Sequence, residues 1–147
     1  MAQRLGDDEK VHWGAVLRLV ALLPARLERD LAEVGLSAAD YDVLSTLADH
    51  PGHRLSLKDL ANAMHWSSSR LSHHATRMER RGLLQRQSDP RDARGCLIEL
   101  TDEGEATLHQ AAPVHVASVR AHFLDHVSPH ELAQLGEVAR RITDRLL

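Results

Sequence analysis

The sequence contains, at residues 89–95, a tight polar turn between two short apolar runs: Asp89-Pro90-Arg91-Asp92-Ala93-Arg94-Gly95. The two runs occupy residues 83–88 and 96–100. Short runs of this kind around Pro, Asp and Gly predict a β-hairpin. Because its tip carries two arginines, and guanidinium groups suit both phosphates and the minor groove of DNA, we interpret residues 83–100 as the wing of a DNA-binding lobe.

Positive charge is concentrated around this hairpin. Residues 53–95 contain nine Lys and Arg against four Asp and Glu, a surplus of five positive charges. The whole chain has a net charge of −3, so the remaining residues carry −8. A polyanion would therefore be attracted to one part of the chain and repelled by the rest.

The residues before the wing have the pattern of a helix-turn-helix at positions 56–82. Ser56 is placed to cap a helix of about two turns, and Ser67 to cap a second helix that ends at Gly82. Leu71, Ala75 and Met78 share one face of that second helix and are predicted to be buried. Two short helices joined by so tight a turn place the second one in the major groove of DNA.

Candidate DNA-binding residues follow from this arrangement. Hydroxyls near the start of the second helix suit phosphate oxygens, while Arg70, His73 and His74 are expected to face solvent and contact base edges. In the wing, Asp92 would hold the turn through local hydrogen bonds, Arg94 would enter a minor groove and Arg91 would meet phosphate. A solvated polar helix and an ordinary hairpin are the alternatives at these two places. The full set is Ser67, Ser68, Ser69, Arg70, Ser72, His73, His74, Arg77, Arg91, Asp92 and Arg94.

The flanking segments, residues 7–35 and 101–147, are predicted to form long helices. The first is apolar nearly all round, which favours burial against its own domain and a second subunit; Pro24 should kink or break it, and Gly35 should end it. Thr101 is expected to cap a long helix that carries apolar residues as far as position 127, and Ser128 a final one. These segments would form a helical dimerisation domain around the lobe at residues 37–100.

The chain resembles the MarR (multiple antibiotic resistance regulator) family of winged-helix transcription factors over nearly its whole length. The resemblance implies a dimer formed by the first and last two helices, repression of transcription, and release from DNA by a small, often aromatic and acidic ligand. Two departures stand out: His73 occupies a position where the family commonly has arginine, and no cysteine lies in the first two helices, which argues against peroxide sensing. The matching elements are Gly35-Leu36-Ser37, residues 40–44, Leu60-Ala61, residues 77–83, the turn at 89–95 and Leu100-Thr101-Asp102-Glu103-Gly104.

Length and composition limit the other possibilities. At 147 residues, 43% hydrophobic and 3% aromatic, the chain fits a single mostly α protomer (α+β winged helix) spanning 1–147, with a core of Leu, Val and Ala. Its single cysteine, Cys96, fits a reducing cytoplasm, and no apolar stretch is long enough for a membrane span. No Gly-rich phosphate loop, Cys-x-x-Cys pair or nucleophile elbow is present, so we expect no enzymatic activity and no cofactor.

Three further readings concern ligands and partners. A small organic anion is expected to bind near Trp13 and Leu17 of the first helix and Leu44 and Leu47 of the lobe, although plain core packing explains these residues equally well. His122 and His126 are four residues apart, a spacing that would let them share one helix face and bind zinc, which gives a zinc-responsive regulator as one alternative. A winged-helix dimer serving only protein contacts is another. The principal expectation is a homodimer bound to a pseudo-palindromic double-stranded DNA operator; the operator sequence, the effector and the sign of regulation do not follow from the sequence.

Overall fold

The computed structural model describes residues 4–147 and is mostly helical with one small antiparallel sheet, as the sequence predicts. Short 3-10 turns occupy Pro51–His53 and Leu124–His126. The helices are α1 Asp7–Ala32, α2 Ala38–Ala48, α3 Leu57–Ala63, α4 Ser68–Arg80, α5 Asp102–His122 and α6 Pro129–Thr143; the strands are β1 Arg54–Ser56, β2 Leu84–Asp89 and β3 Asp92–Leu100.

The chain divides into two compact units. The winged unit comprises Leu31–Val114 and contains α2 to α4 and the sheet. The helical unit comprises the described residues up to Asp30 together with His115–Leu147. Helix α5 is divided between the two units, with its residues up to Val114 in the winged unit.

The two units differ sharply in how much of their large hydrophobic side chains is exposed to solvent. The winged unit contains every buried hydrophobic residue of the described chain, with Leu31, Leu60, Leu71 and Met78 completely inaccessible to solvent. All the large hydrophobic side chains that are exposed lie in the helical unit, for example Val20 at 59%. The winged unit therefore closes its own core, whereas the helical unit leaves its apolar surface uncovered in the single chain.

Three helices, α1, α3 and α4, are followed by a residue with a positive φ. At Gly35 and Gly82 the backbone adopts a positive φ of 77°, which glycine tolerates and which ends α1 and α4. In the turn between α3 and α4 the residue with a positive φ is His65, at 54°. There the N–H of Trp66 donates to the carbonyl of Ala61 (2.9 Å) and that of His65 to Asn62 (3.1 Å), the paired bonds of a Schellman motif. The turn is thereby fixed in spite of its non-glycine residue.

The sheet has the strand order β1-β3-β2, with both pairs antiparallel. Along β2 the register is regular from Leu84 to Ser88, and then shifts: Ser88 pairs with Cys96 but Asp89 pairs with Asp92. Residues 93–95 of β3 are thus extra residues without partners on β2. The paired strands extend further towards the tip than the sequence predicted, because β3 begins at Asp92 rather than at residue 96.

The Leu-Thr-x-x-Gly element joins the sheet to α5. The Thr101 hydroxyl donates to the carbonyl of Gly82 (2.6 Å) and accepts from the N–H of Gly104 (3.0 Å). A Cβ at Gly104 would collide with the carbonyl oxygen of Leu83, so no other residue fits without movement of the backbone. This motif therefore has a packing role: it lets α5 start directly against the end of α4.

Helix α1 continues as one element through Pro24, so the expected break is not present, while the expected kink stays a prediction. The predicted length of α5 was wrong. Helix α5 ends at His122, so Phe123 and Val127 are not part of it, and it contains Pro113 within its length. No helix of residues 4–147 is sufficiently long and apolar to cross a membrane.

Candidate nucleic-acid interface

Helix α4 presents its N-terminus and one polar face to solvent. The Ser67 hydroxyl caps the helix by accepting from the N–H of Arg70 (3.1 Å). Ser68 and Ser69 follow in the first turn and are exposed. The hydroxyls and N–H groups at this positive end of the helix dipole suit the phosphate oxygens of DNA.

The opposite face of α4 is buried as predicted. Leu71, Ala75 and Met78 are at most 1% exposed and pack in the core of the winged unit. His73 and Arg77, four residues apart, lie on the exposed face. The helix is therefore oriented with a polar, partly cationic surface outward, as a DNA-recognition helix requires.

His74 is a correction to the predicted interface. Its side chain is only 11% exposed, and its Nε2 lies 2.9 Å from the Oδ1 of Asp40 on α2, so it cannot project towards base edges. Burial lowers the pKa of His74, and together with the charges of Arg77 and Arg70 it outweighs the opposing influence of the Asp40 carboxylate. His74 is therefore buried, its lowered pKa favours the neutral imidazole, and it joins α4 to α2. Its place four residues after Arg70 and three after Leu71 gives it a position between the exposed and buried faces, which made the assignment ambiguous.

Two arginines of α4 contact neighbouring aromatic side chains. The guanidinium carbon of Arg70 lies 3.8 Å above the centre of the Trp66 ring, a cation–π geometry. The Nη2 of Arg77 lies 2.9 Å from the Nδ1 of His74. Trp66 also meets His74 edge to face, with ring centres 5.5 Å apart and planes at 87°. These rings fix the starting positions of two candidate DNA contacts.

Two other arginines, Arg81 and Arg86, form hydrogen bonds within the winged unit. Arg81 donates to the Oδ2 of Asp40 (2.7 Å) and to the carbonyl of Gly35 (2.6 Å). Arg86 donates to the carbonyl of Ser72 (2.7 Å) and lies 3.3 Å from its hydroxyl, which leaves that predicted phosphate ligand half-buried and engaged. The positive surplus counted from the sequence therefore overstates the charge available to DNA. Nothing in the local sequence distinguishes these internal arginines from the outward ones.

Asp40 is the centre of the internal charge network. Burial alone would raise the pKa of this carboxyl, but the hydrogen bonds from Arg81 and from the N–H of Ser37 outweigh it and hold the pKa below its ordinary value. The Ser37 N–H also completes a capping box at the start of α2. Asp40 therefore has two roles, as part of the cap of α2 and as the anchor of Arg81 and His74.

The wing tip is shaped by two carboxylates and a glycine. Asp89 accepts from the N–H of Arg91 (2.8 Å), and Asp92 accepts from the N–H of Arg94 (2.9 Å), as expected for a turn held by local hydrogen bonds. A Cβ at Gly95 would lie 3.1 Å from Asp89 and 3.2 Å from the carbonyl of Asp92, a tight fit. The side chains of Arg91 and Arg94 are exposed and make no hydrogen bond or ion pair within residues 4–147. A bulge of this kind re-aims side chains, and here it carries Arg94.

The four residues predicted to bind an effector fall into two pairs, one buried in the winged unit and one exposed on α1. Leu44 and Leu47 are completely buried in the core of the winged unit, which leaves them no surface for a ligand. Trp13 and Leu17 are about half exposed on α1 in the helical unit. The proposed effector site near all four residues is therefore corrected: the two leucines of the lobe belong to its core.

The structure also contradicts the spacing argument for a zinc site at His122 and His126. His122 is the last residue of α5, whereas His126 lies in the following 3-10 turn, so the two do not share a helix face. The Nε2 of His122 lies 3.1 Å from Asp30, and that of His126 lies 2.9 Å from the carbonyl of Ala121. Within residues 4–147, no group of three or more His, Cys, Asp or Glu side chains is arranged to hold a metal ion.

A helix-turn-helix followed by two strands that complete a three-stranded sheet, with an arginine-bearing turn between them, defines a winged-helix DNA-binding protein. Residues 34–95 match the sequence model of the MarR family. AbsC, a MarR family transcriptional regulator from Streptomyces coelicolor, is 40% identical, and its crystal structure matches 99% of this chain and 98% of its own with a TM-score of 0.96.

Two more proteins support the assignment. Sco3205, a MarR family transcriptional regulator from Streptomyces coelicolor crystallised in complex with DNA, is 34% identical and matches 99% of this chain and 92% of its own with a TM-score of 0.96. The HTH-type transcriptional repressor YetL of Bacillus subtilis (strain 168) is 29% identical over 120 residues, 80% of this chain and 72% of YetL. The chain belongs to the MarR family of transcriptional regulators.

Proposed function

We propose that this protein is a homodimeric repressor that binds a pseudo-palindromic DNA operator through α4 and the wing. The observation that carries the proposal is the outward placement of basic side chains without acidic partners on a helix and a wing. Arg91 and Arg94 project from the wing, His73 and Arg77 from α4, and none of the four has an acidic partner among the described residues. The similarity to Sco3205, whose structure was determined with DNA, supports the same interface here.

The exposed apolar surface of the helical unit supports the dimer. A soluble monomer rarely exposes so many large hydrophobic side chains on contiguous helices, and such surfaces mark sites of association. Two copies related by a two-fold axis would present two α4 helices about one DNA turn apart, roughly 10 base pairs between half-site centres. We therefore expect sedimentation to give a particle of twice the 16.4 kDa chain mass. A stable monomer at micromolar concentration would contradict the dimer.

The experiment that tests DNA binding starts from a pool of random-sequence duplexes, from which the protein selects its sites. We expect the selected sites to share a palindromic sequence and a footprint symmetric about its centre. Arg77→Ala should weaken binding, whereas Arg141→Ala, an equal loss of charge on α6 in the helical unit, should not. Recovery of no common sequence, or equal sensitivity to both substitutions, would contradict the proposal and favour a role in protein contacts.

Repression and its relief by a small organic anion complete the proposal. YetL, which carries the name of a repressor, supports the sign of regulation. For the effector, the helical unit contains a shallow cavity of about 250 Å³ lined by Leu19, Leu22 and Leu23 with Arg18, Arg26 and His122. An apolar floor with cations at its edge suits an aromatic or aliphatic acid.

Titration of candidate aromatic acids into the free and the operator-bound protein tests this regulation. An effector that weakens DNA binding 100-fold requires about 2.7 kcal/mol of coupling, and the operator must weaken effector binding by the same factor. Arg18→Gln should reduce effector affinity while leaving DNA binding in its absence unchanged; Arg29→Gln is the control on the same helix. Equal affinities for the free and the bound protein would exclude release by that acid.

A further inference from the structure

The half-buried Trp66 lies immediately before the cap of the recognition helix. It packs against the core of the winged unit from the turn between α3 and α4. Its backbone is fixed in that turn by the hydrogen bond to Ala61. The outer face of its ring carries the guanidinium of Arg70 at 3.8 Å. An exposed arginine is thus held at a defined place by a ring that is itself anchored.

The ring of Trp66 is also fixed from the side of α4. His74 meets it edge to face, and His74 is in turn held near Asp40 on α2 and Arg77 on its own helix. A rotation of the indole would disturb its contacts with His74 and Arg70. Trp66 therefore has little freedom to change its orientation when the protein meets DNA.

Stacking leaves the hydrogen-bonding capacity of Arg70 intact. The N–H donors of a guanidinium lie in its plane, so a ring on its face does not block them. Arg70 makes no ion pair or side-chain hydrogen bond with another described residue, unlike Arg81 and Arg86. A planar fork held in this way matches the O6 and N7 acceptors of guanine in the major groove.

We propose that Trp66 is a positioning residue that sets base preference, by holding Arg70 in the plane from which it contacts a guanine in each half-site. This inference rests on the proposed DNA-binding function. Free arginine side chains have many rotamers, and stacking selects among them before DNA is bound, which lowers the entropic cost of the contact. Trp66 itself need not touch the DNA.

The test uses the site that the wild-type protein selects from a random-sequence pool, with each guanine replaced in turn by 7-deazaguanine, which lacks N7. We expect one guanine in each half-site at which the replacement weakens wild-type binding about tenfold, within the range of a bidentate contact. Arg70→Ala should abolish the dependence at that guanine alone. Trp66→Leu should reduce it two- to fivefold, the range of an exposed cation–π contact, with the other guanines unaffected. Trp66→Leu combined with Arg70→Ala should change it no further than Arg70→Ala does.

Other outcomes overturn the inference in distinguishable ways. If Trp66→Leu weakens binding equally for guanine and 7-deazaguanine at every position, Trp66 serves only the stability of the turn. If Arg70→Ala keeps every guanine dependence of the wild type, Arg70 does not contact a guanine and the inference fails, while the proposed function stands. If the wild-type protein selects no common sequence, the proposed function itself fails.

A second measurement leaves Trp66 unchanged and so does not depend on the folding of its variants. The chain has two tryptophans, and Trp13→Phe makes Trp66 the only one. In that protein, Arg70→Ala should increase the quenching of Trp66 fluorescence by acrylamide, because it uncovers the ring face. In the Trp13→Phe protein that keeps Arg70, binding of the selected DNA site should leave the quenching of Trp66 as low as it is without DNA. A rise on binding that equals the effect of Arg70→Ala would show that Arg70 leaves the ring, and would overturn the inference.

Discussion

Asp40→Asn tests whether the carboxylate at the start of α2 holds the winged unit together. The side chain of Asp40 is 6% exposed and lies 2.7 Å from Arg81 Nη1 and 2.9 Å from His74 Nε2, and it accepts from the N–H of Ser37 at 3.0 Å. Removing one partner of a fully buried ion pair costs about 3–5 kcal/mol. Arg81 is 43% exposed and can be solvated again, and asparagine keeps one acceptor oxygen, so we expect a loss of about 2 kcal/mol.

Urea denaturation at pH 7 measures this loss. The experiment uses a Trp13→Phe background, in which the fluorescence of Trp66 reports the winged unit alone. For a chain of this length, a loss of about 2 kcal/mol corresponds to a fall of about 6 °C in the melting temperature. Asp49→Asn is the matched control: it removes an exposed carboxylate at the other end of α2 and should change stability by less than about 0.5 kcal/mol.

A double-mutant cycle separates the ion pair from other effects of the substitution. If Asp40 acts chiefly through Arg81, Asp40→Asn should cost much less in an Arg81→Met background than in the wild type. Additive losses would show that the pair contributes little. An Asp40→Asn protein as stable as Asp49→Asn would refute the structural reasoning as a whole.

Four other predictions follow from the structure. Gly104→Ala should destabilise the winged unit severely, because its methyl group meets the Leu83 carbonyl; thermal unfolding measures the loss, with the open Gly14→Ala of α1 as the control that should not be destabilised. The pKa of His74 is lowered in the folded state, so its contribution to stability is complete above pH 6.5 and is lost as the pH falls through the folded value. Unfolding midpoints measured from pH 7.5 to 5 should therefore decline, and they should decline less in His74→Gln. Arg94→Ala should reduce the slope of log affinity against log salt concentration by about 0.9 for each protomer bound; an unchanged slope would place the wing away from DNA. Val20→Glu should shift the protein towards monomer in sedimentation while the circular dichroism of the chain remains helical.

The sequence predicted the helix-turn-helix because its signals are local. Serine caps at 56 and 67, glycine at 82 and the spacing of Leu71, Ala75 and Met78 each act within one or two turns of a helix, and the structure confirms them. Those signals also sufficed to place the buried face of α4, but not to assign His74, which was predicted to face solvent. The family resemblance added the order of the elements and the wing.

The remaining errors concern contacts between residues distant in sequence. His74 lies at the border of two helix faces, and only its partner Asp40, 34 positions earlier, decides that it turns inward. The internal roles of Arg81 and Arg86 likewise depend on Gly35 and Ser72, which no periodicity reveals. The end of α5 at His122 was missed because the following residues keep an apolar spacing although the helix does not continue.

The uncovered apolar surface of the helical unit has a consequence for how steeply DNA binding depends on the concentration of the protein. If only the dimer binds an operator with two half-sites, and the dimer forms within the range of cellular concentrations, operator occupancy rises with the square of the chain concentration. Halving the concentration of the chain, as a doubling of cell volume without new synthesis does, would then lower the dimer concentration up to fourfold. We expect genes under its control to respond more steeply to dilution than they would to a regulator that bound DNA as a single chain.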